Sequence, residues 1–163
     1  MRGKEIMSRK LEYLNVSDAL SLADDLMVIR RIRHLPIMDN GELVGIVSDR
    51  DLLQAGLAMA MGFSKRTEER FLSTVLVGEV MTSDVITIDQ NADVKKAARI
   101  MSSRNIGCLP VLAGVKLVGL LSESDILRVI AGGGGGANMK TLFIGACTPI
   151  YMLQVKVLGI RLF

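Results

Sequence analysis

The chain repeats itself at a spacing of 74 residues, and this duplication restricts it to folds assembled from two copies of one unit. Residues 32–54 read IRHLPIMDNGELVGIVSDRDLLQ and residues 106–128 read IGCLPVLAGVKLVGLLSESDILR. The two align without a gap, with nine identities in 23 positions. Pro36 pairs with Pro110, Gly45 with Gly119, Ser48 with Ser122 and Asp51 with Asp125. The register extends upstream, where KEIMS at residues 4–8 faces GEVMT at residues 78–82 and Met27 faces Met101. The copies therefore run from about residue 4 to 57 and from about 78 to 131.

Each copy predicts the same succession of elements. Helices start near Asp18-Ala19-Leu20 and Ala92-Asp93-Val94, where a carboxylate meets the positive end of the helix dipole. Leu20, Ala23, Leu26 and Met27, and likewise Val94, Ala97, Ala98 and Met101, fall on one helical face. Two short apolar runs follow in each copy. In the first they are split by Asp39-Asn40-Gly41, a hairpin signal because Asn and Gly tolerate positive φ; in the second, by Ala113-Gly114. A further helix then begins at Ser48 or Ser122.

The sequence predicts a first domain over 4–61, a connector helix over 62–77, a second domain over 78–131, and a Gly-rich linker with an apolar tail over 132–163. Polar residues interrupt the tail before it reaches the length of a membrane span, so no membrane partner is expected. The N-terminus shows no signal-peptide pattern. Cys108 and Cys147 lack a short ligand or redox spacing, so both are read as reduced thiols of a cytoplasmic protein. Half of the 163 residues are hydrophobic and only 4% aromatic, which favours aliphatic packing over aromatic binding platforms. A net charge of +3 does not by itself imply a nucleic-acid partner.

Two repeated signatures carry chemistry. The first is Gly-x-x-Ser-x-x-Asp, at Gly45–Asp51 and at Gly119–Asp125. Its glycine reads as room for a ligand to approach the backbone, and Ser48 and Ser122 as helix-start hydroxyls. Asp51 and Asp125, one turn on, can accept from paired ribose hydroxyls. A capping interaction between the Ser and the Asp explains the same spacing without a ligand. The second signature is the basic run Arg30-Arg31-Ile32-Arg33-His34. Read as a strand, it puts Arg31 and Arg33 on one face and His34 on the other, and Arg33, His34 and Arg50 can grip a phosphate. The second copy has Gly107 and Cys108 where the first has Arg33 and His34, so the two sites are not equivalent. With one histidine, no phosphate-cradling lysine loop and no cluster of metal ligands, neither catalysis nor a metal is expected.

The motifs RNIGCLPV, LVGLLSESDIL and EVMTSDVITI, with RIRHLPI and LVGIVSDRDLL in the first copy, resemble a tandem pair of cystathionine-β-synthase (CBS) domains, a Bateman module. The resemblance implies an α/β (α+β) fold of two β-α-β-β-α units related by a pseudo-two-fold axis, sheets packed together and helices outside. It implies a regulatory module that binds AMP, ADP, ATP or S-adenosylmethionine, needs no cofactor, forms a homodimer through its helices and modulates an unidentified protein. Asp51, Asp125, Ser48 and Ser122 match the ribose positions, and Arg33 and His34 match the basic pair that holds phosphate in some members. Ile86, Thr87, Cys108 and Pro110 match positions around the adenine, where the first copy offers Tyr13. The competing expectations are a ligand-free dimerisation module and a weak nucleic-acid binder.

Overall fold

A computed structural model describes residues 1–59 and 70–132, with the side chains of 57–59 left out. The first half comprises α1 (Gly3–Ile6), β1 (Leu14–Asn15), α2 (Leu20–Arg30), β2 (His34–Asp39), β3 (Glu42–Ser48) and α3 (Asp49–Met59). The second repeats the series as α4 (Val77–Val80), β4 (Ile88–Asp89), α5 (Val94–Arg104), β5 (Cys108–Ala113), β6 (Lys116–Ser122) and α6 (Glu123–Gly132). Each half holds a three-stranded sheet, β1-β2-β3 or β4-β5-β6, with a parallel first pair and an antiparallel hairpin.

Local chemistry sets the boundaries. Asn40 and Gly41 adopt φ of 48° and 84°, the positive pair that a two-residue hairpin turn demands. Asp93 caps α5 by accepting from the Lys95 N–H at 2.7 Å. Its counterpart in α2 is Ala19, and the nearby Asp18 instead accepts from the Asn15 N–H at 2.7 Å. Helices α2 and α5 both end on a left-handed residue, Arg31 with φ 53° and Asn105 with φ 54°. This corrects the strand reading of the basic run. Arg30 closes the helix, Arg31 terminates it, and the strand begins only at His34.

The periodic faces form two aliphatic cores. Leu20, Ala23 and Met27 of α2 pack with Leu35, Ile37 and Val47 of the first sheet, and Ala97 and Met101 of α5 pack with Leu109, Val111 and Leu121 of the second. Neither core is complete within its own copy. Met7 belongs to the second core, and Val77 to the first, with Met81 packed against it. The Gly3 and Lys4 N–H groups donate to Ala92 and Gln90 carbonyls at 2.9 and 3.0 Å. In the same way, the Val77 and Gly78 N–H groups donate to Asp18 and Val16 carbonyls at 2.9 and 3.1 Å. Isolated bridges pair Ser8 with Leu120 and Thr82 with Ile46, the same contact at the 74-residue offset. That reciprocity is the pseudo-two-fold relation of the two halves.

Residues 60–69, which hold Met61 and the first part of the connector, and residues 133–163 of the tail with Cys147 lie outside the described residues. Within the connector region that is described, Leu72 is buried against the first core.

Candidate functional site

The two Gly-x-x-Ser-x-x-Asp signatures stand at the same corner of each half, where the last strand of the hairpin turns into the following helix. Ser48 ends β3 and Asp51 lies in the first turn of α3; Ser122 ends β6 and Asp125 lies in the first turn of α6. Asp51 Oδ2 accepts from the Ser48 N–H and the Ser48 hydroxyl, both at 2.7 Å. Asp125 Oδ2 accepts from the Ser122 N–H at 2.9 Å and from its hydroxyl at 2.7 Å. The serines return the bond, with Oγ accepting from the Asp51 and Asp125 N–H groups at 3.4 and 3.3 Å. The capping interaction is thus present in both copies. It engages one oxygen of each half-buried carboxylate. The other oxygen of Asp125 takes Arg128 Nη1 at 3.2 Å.

The glycine of the signature does something the spacing did not suggest. A Cβ at Gly45 would overlap Met81 Sδ and lie 2.9 Å from its Cγ; at Gly119 it would overlap Met7 Sδ and lie 3.0 Å from the Ser8 carbonyl oxygen. The space read as an approach for a ligand is filled by a methionine from the other copy. Met7 and Met81 were visible as a repeated residue, but nothing in one sequence tied them to these glycines.

His34 opens β2 opposite Ser48 in the ladder, and Cys108 opens β5 opposite Ser122. The helix that follows is tied to the residue before each, the Asp49 N–H donating to the Arg33 carbonyl at 3.1 Å and the Glu123 N–H to the Gly107 carbonyl at 3.0 Å. Burial lowers the His34 pKa below its ordinary 6.5, with Arg33 and Arg50 acting in the same sense against the carboxylates of Asp49 and Asp51. Cys108 is buried, and desolvation, aided by the Asp125 carboxylate, pushes its thiol up to about 12. His34 also reaches the second half, because a Cβ at Gly107 would stand 3.5 Å from His34 Cε1 and 3.7 Å from Glu123 Oε2. Arg33 and Arg50 are exposed, and both act on the His34 ring.

The adenine positions are more scattered. Ile86 and Thr87 are half-buried in the extended segment just before β4, with Ile86 packed on the second core. Pro110 is fully buried within β5. Tyr13 is 56% exposed, and its neighbour Glu12 is held by Arg30 Nε at 3.0 Å. Among the described residues, no group of three or more His, Cys, Asp or Glu side chains stands together as a metal site, and no helix is long and apolar enough to cross a membrane.

The CBS domain model matches the chain twice, over residues 4–58 and 77–132. The chain belongs to the CBS domain family. The chain is similar to a CBS domain-containing protein of Dictyostelium discoideum, 32% identical over 129 residues that span 78% of this chain and 89% of that protein. Among solved structures it resembles the CBS domain pair of protein MJ0100 in complex with 5′-methylthioadenosine and S-adenosyl-L-methionine. That pair is 28% identical with a TM-score of 0.68, and the match covers 82% of this chain and 98% of the other. Hypoxic Response Protein I, solved with two coordinated zinc ions, matches at 27% identity and a TM-score of 0.64 over 78% of this chain and 98% of that one. The two three-stranded sheets and flanking helices are those of a CBS domain pair.

Proposed function

We propose that this CBS pair is a regulatory module that binds an adenosyl compound of the AMP, ADP, ATP or S-adenosylmethionine class and adjusts the activity of a partner protein. The observation that carries the reading is the half-buried carboxylate repeated at Asp51 and Asp125, held by a serine through one oxygen at the head of a helix. A carboxylate with a fixed oxygen is a pre-organised acceptor for the two hydroxyls of a ribose. The binding of methylthioadenosine and S-adenosylmethionine by the MJ0100 pair, at 28% identity, supports the same ligand class. In this reading Ser48 and Ser122 orient the carboxylates, and Arg33, His34 and Arg50 supply the phosphate contacts. Ile86, Thr87 and the backbone from Cys108 to Pro110 line an adenine slot, with Tyr13 the stacking surface in the first half. The module acts in the cytoplasm and catalyses nothing itself.

Isothermal titration with AMP, ADP, ATP, S-adenosylmethionine and 5′-methylthioadenosine tests the proposal. Micromolar binding of at least one, weakened tenfold or more by Asp51→Asn or Asp125→Asn, is the expected result. No binding by any of the five removes it.

A homodimer through the helices is favoured by a separate observation. Val28 and Ile29 of α2 are each 70% exposed and Leu53 of α3 is 62% exposed, beside a mainly apolar groove of about 370 Å³ whose lining includes Val28, Ile32, Leu53 and Leu72 with the carboxylates of Asp24 and Asp49. Sedimentation of the wild type and of Ile29→Glu checks it: a dimer that becomes a monomer is expected, and a monomeric wild type refutes it.

A further inference from the structure

The seam between the halves carries one imidazole where its pseudo-symmetric counterpart is a thiol. His34 and Cys108 occupy equivalent places 74 residues apart, as do Arg33 and Gly107. Because Gly107 has no side chain, the His34 ring lies against it, 3.5 Å from where a Cβ would be, and Glu123 Oε2 stands 3.7 Å from the same point. The groups facing the imidazole come from every neighbouring element. Arg33 precedes β2; Asp49, Arg50 and Asp51 open α3; and Glu123 opens α6. The ring is half-buried, and the three carboxylates near it outnumber the two guanidiniums by one, so burial and not the charge of the cluster keeps the imidazole neutral. An incoming phosphate adds negative charge beside the ring and makes the imidazolium the favoured form.

We infer that His34 is a proton-linked selector of ligand charge: it takes up a proton as a phosphate-bearing adenosyl compound binds, so the module favours phosphate-bearing over uncharged or cationic adenosyl compounds increasingly as pH falls. This rests on the adenosyl-ligand reading above. The step is a proton transfer from solvent to an imidazole nitrogen, with no other bond changed. The burial that lowers the histidine's proton affinity in the free protein sets the starting point: the ring is neutral near pH 7 and has room to gain a proton.

The chain has one histidine, so its ring-proton NMR signal is unambiguous. Its titration midpoint is expected below 6.5 in the free protein and about one unit higher with saturating AMP, while adenosine leaves it in place. Calorimetry at pH 7 in two buffers of different ionisation heat should show proton uptake with AMP in the wild type that His34→Gln lacks. The variant also supplies the baseline for the ligand's own phosphate, which titrates near about pH 6. Relative to that variant, the ratio of AMP to adenosine affinity should rise about three- to sixfold between pH 8 and pH 6. If AMP binds but the midpoint stays and no proton is taken up, the inference fails and the adenosyl reading stands. If only 5′-methylthioadenosine or S-adenosylmethionine binds, the result is the same. If no adenosyl compound binds, both fall. The midpoint measurement needs no variant, so a His34→Gln protein that fails to fold does not rescue the idea.

Discussion

Asp51 serves two masters, the serine that it holds and the ligand proposed for it, and two substitutions separate them. In Asp51→Asn the amide oxygen can still accept from the Ser48 N–H and hydroxyl, whereas the negative charge offered to a ribose is gone. Thermal denaturation of this variant should stay close to wild type while adenosyl-ligand affinity falls at least tenfold. Asp51→Ala removes the cap as well and should cost about 1 kcal/mol of stability. Cys108 offers a test at the same scale. With its thiol pushed up to about 12, it should resist iodoacetamide at pH 8 in the folded protein and react on addition of denaturant, as read by peptide mass mapping. The sign of its pH dependence follows. The folded thiol stays protonated while the unfolded one ionises near its ordinary 9.0, so the folded state loses stability as pH rises above about 9.

The packing of α1 and α4 against the opposite sheets makes each signature glycine half of a pair. Gly119→Ala drives a Cβ into Met7 and towards the Ser8 carbonyl oxygen, a backbone atom that cannot swing aside. The three atoms nearest a Cβ at Gly45 all belong to the Met81 side chain. Gly119→Ala should therefore cost more than Gly45→Ala in urea denaturation, about 3 kcal/mol against about 1–2. Met81→Ala should partly relieve Gly45→Ala in a double-mutant cycle. These pairs also mark how far the fold could be read beforehand. The strand–helix succession was legible because Leu20, Ala23 and Met27, or the Asn40-Gly41 turn, announce themselves within a few residues. The Ser–Asp bond was legible for the same reason, its partners being three residues apart. The partnership of Met81 with Gly45 spans 36 residues, and that of Met7 with Gly119 spans 112, with no local pattern linking either pair. The basic run misled because Arg31 ends its helix in a left-handed conformation more often held by Gly or Asn, as Asn105 does in the second copy.

The described residues form two sheets joined by exchanged segments, and neither half is self-sufficient. Deleting residues 1–9 removes Met7 from the second core together with the hydrogen bonds from Gly3, Lys4 and Ser8. Hydrogen exchange should then show loss of protection at the Leu120 amide, which donates to the Ser8 carbonyl, while the Ile46 amide, which donates to Thr82, keeps its own. Equal loss at both sites would mean that the halves unfold as one. Each half takes a segment of its core from the other copy, so tightening one half would also fix the segment that belongs to the other.

The same exchange gives the chain an order of completion during synthesis. When the ribosome has made the first sheet, which ends at Ser48, the methionine that fills the gap at Gly45 is still 33 residues from being added. When Gly119 emerges, Met7 has long been waiting. The half translated first spends longer with an open seam, and the half translated second can close as soon as its last strand is free.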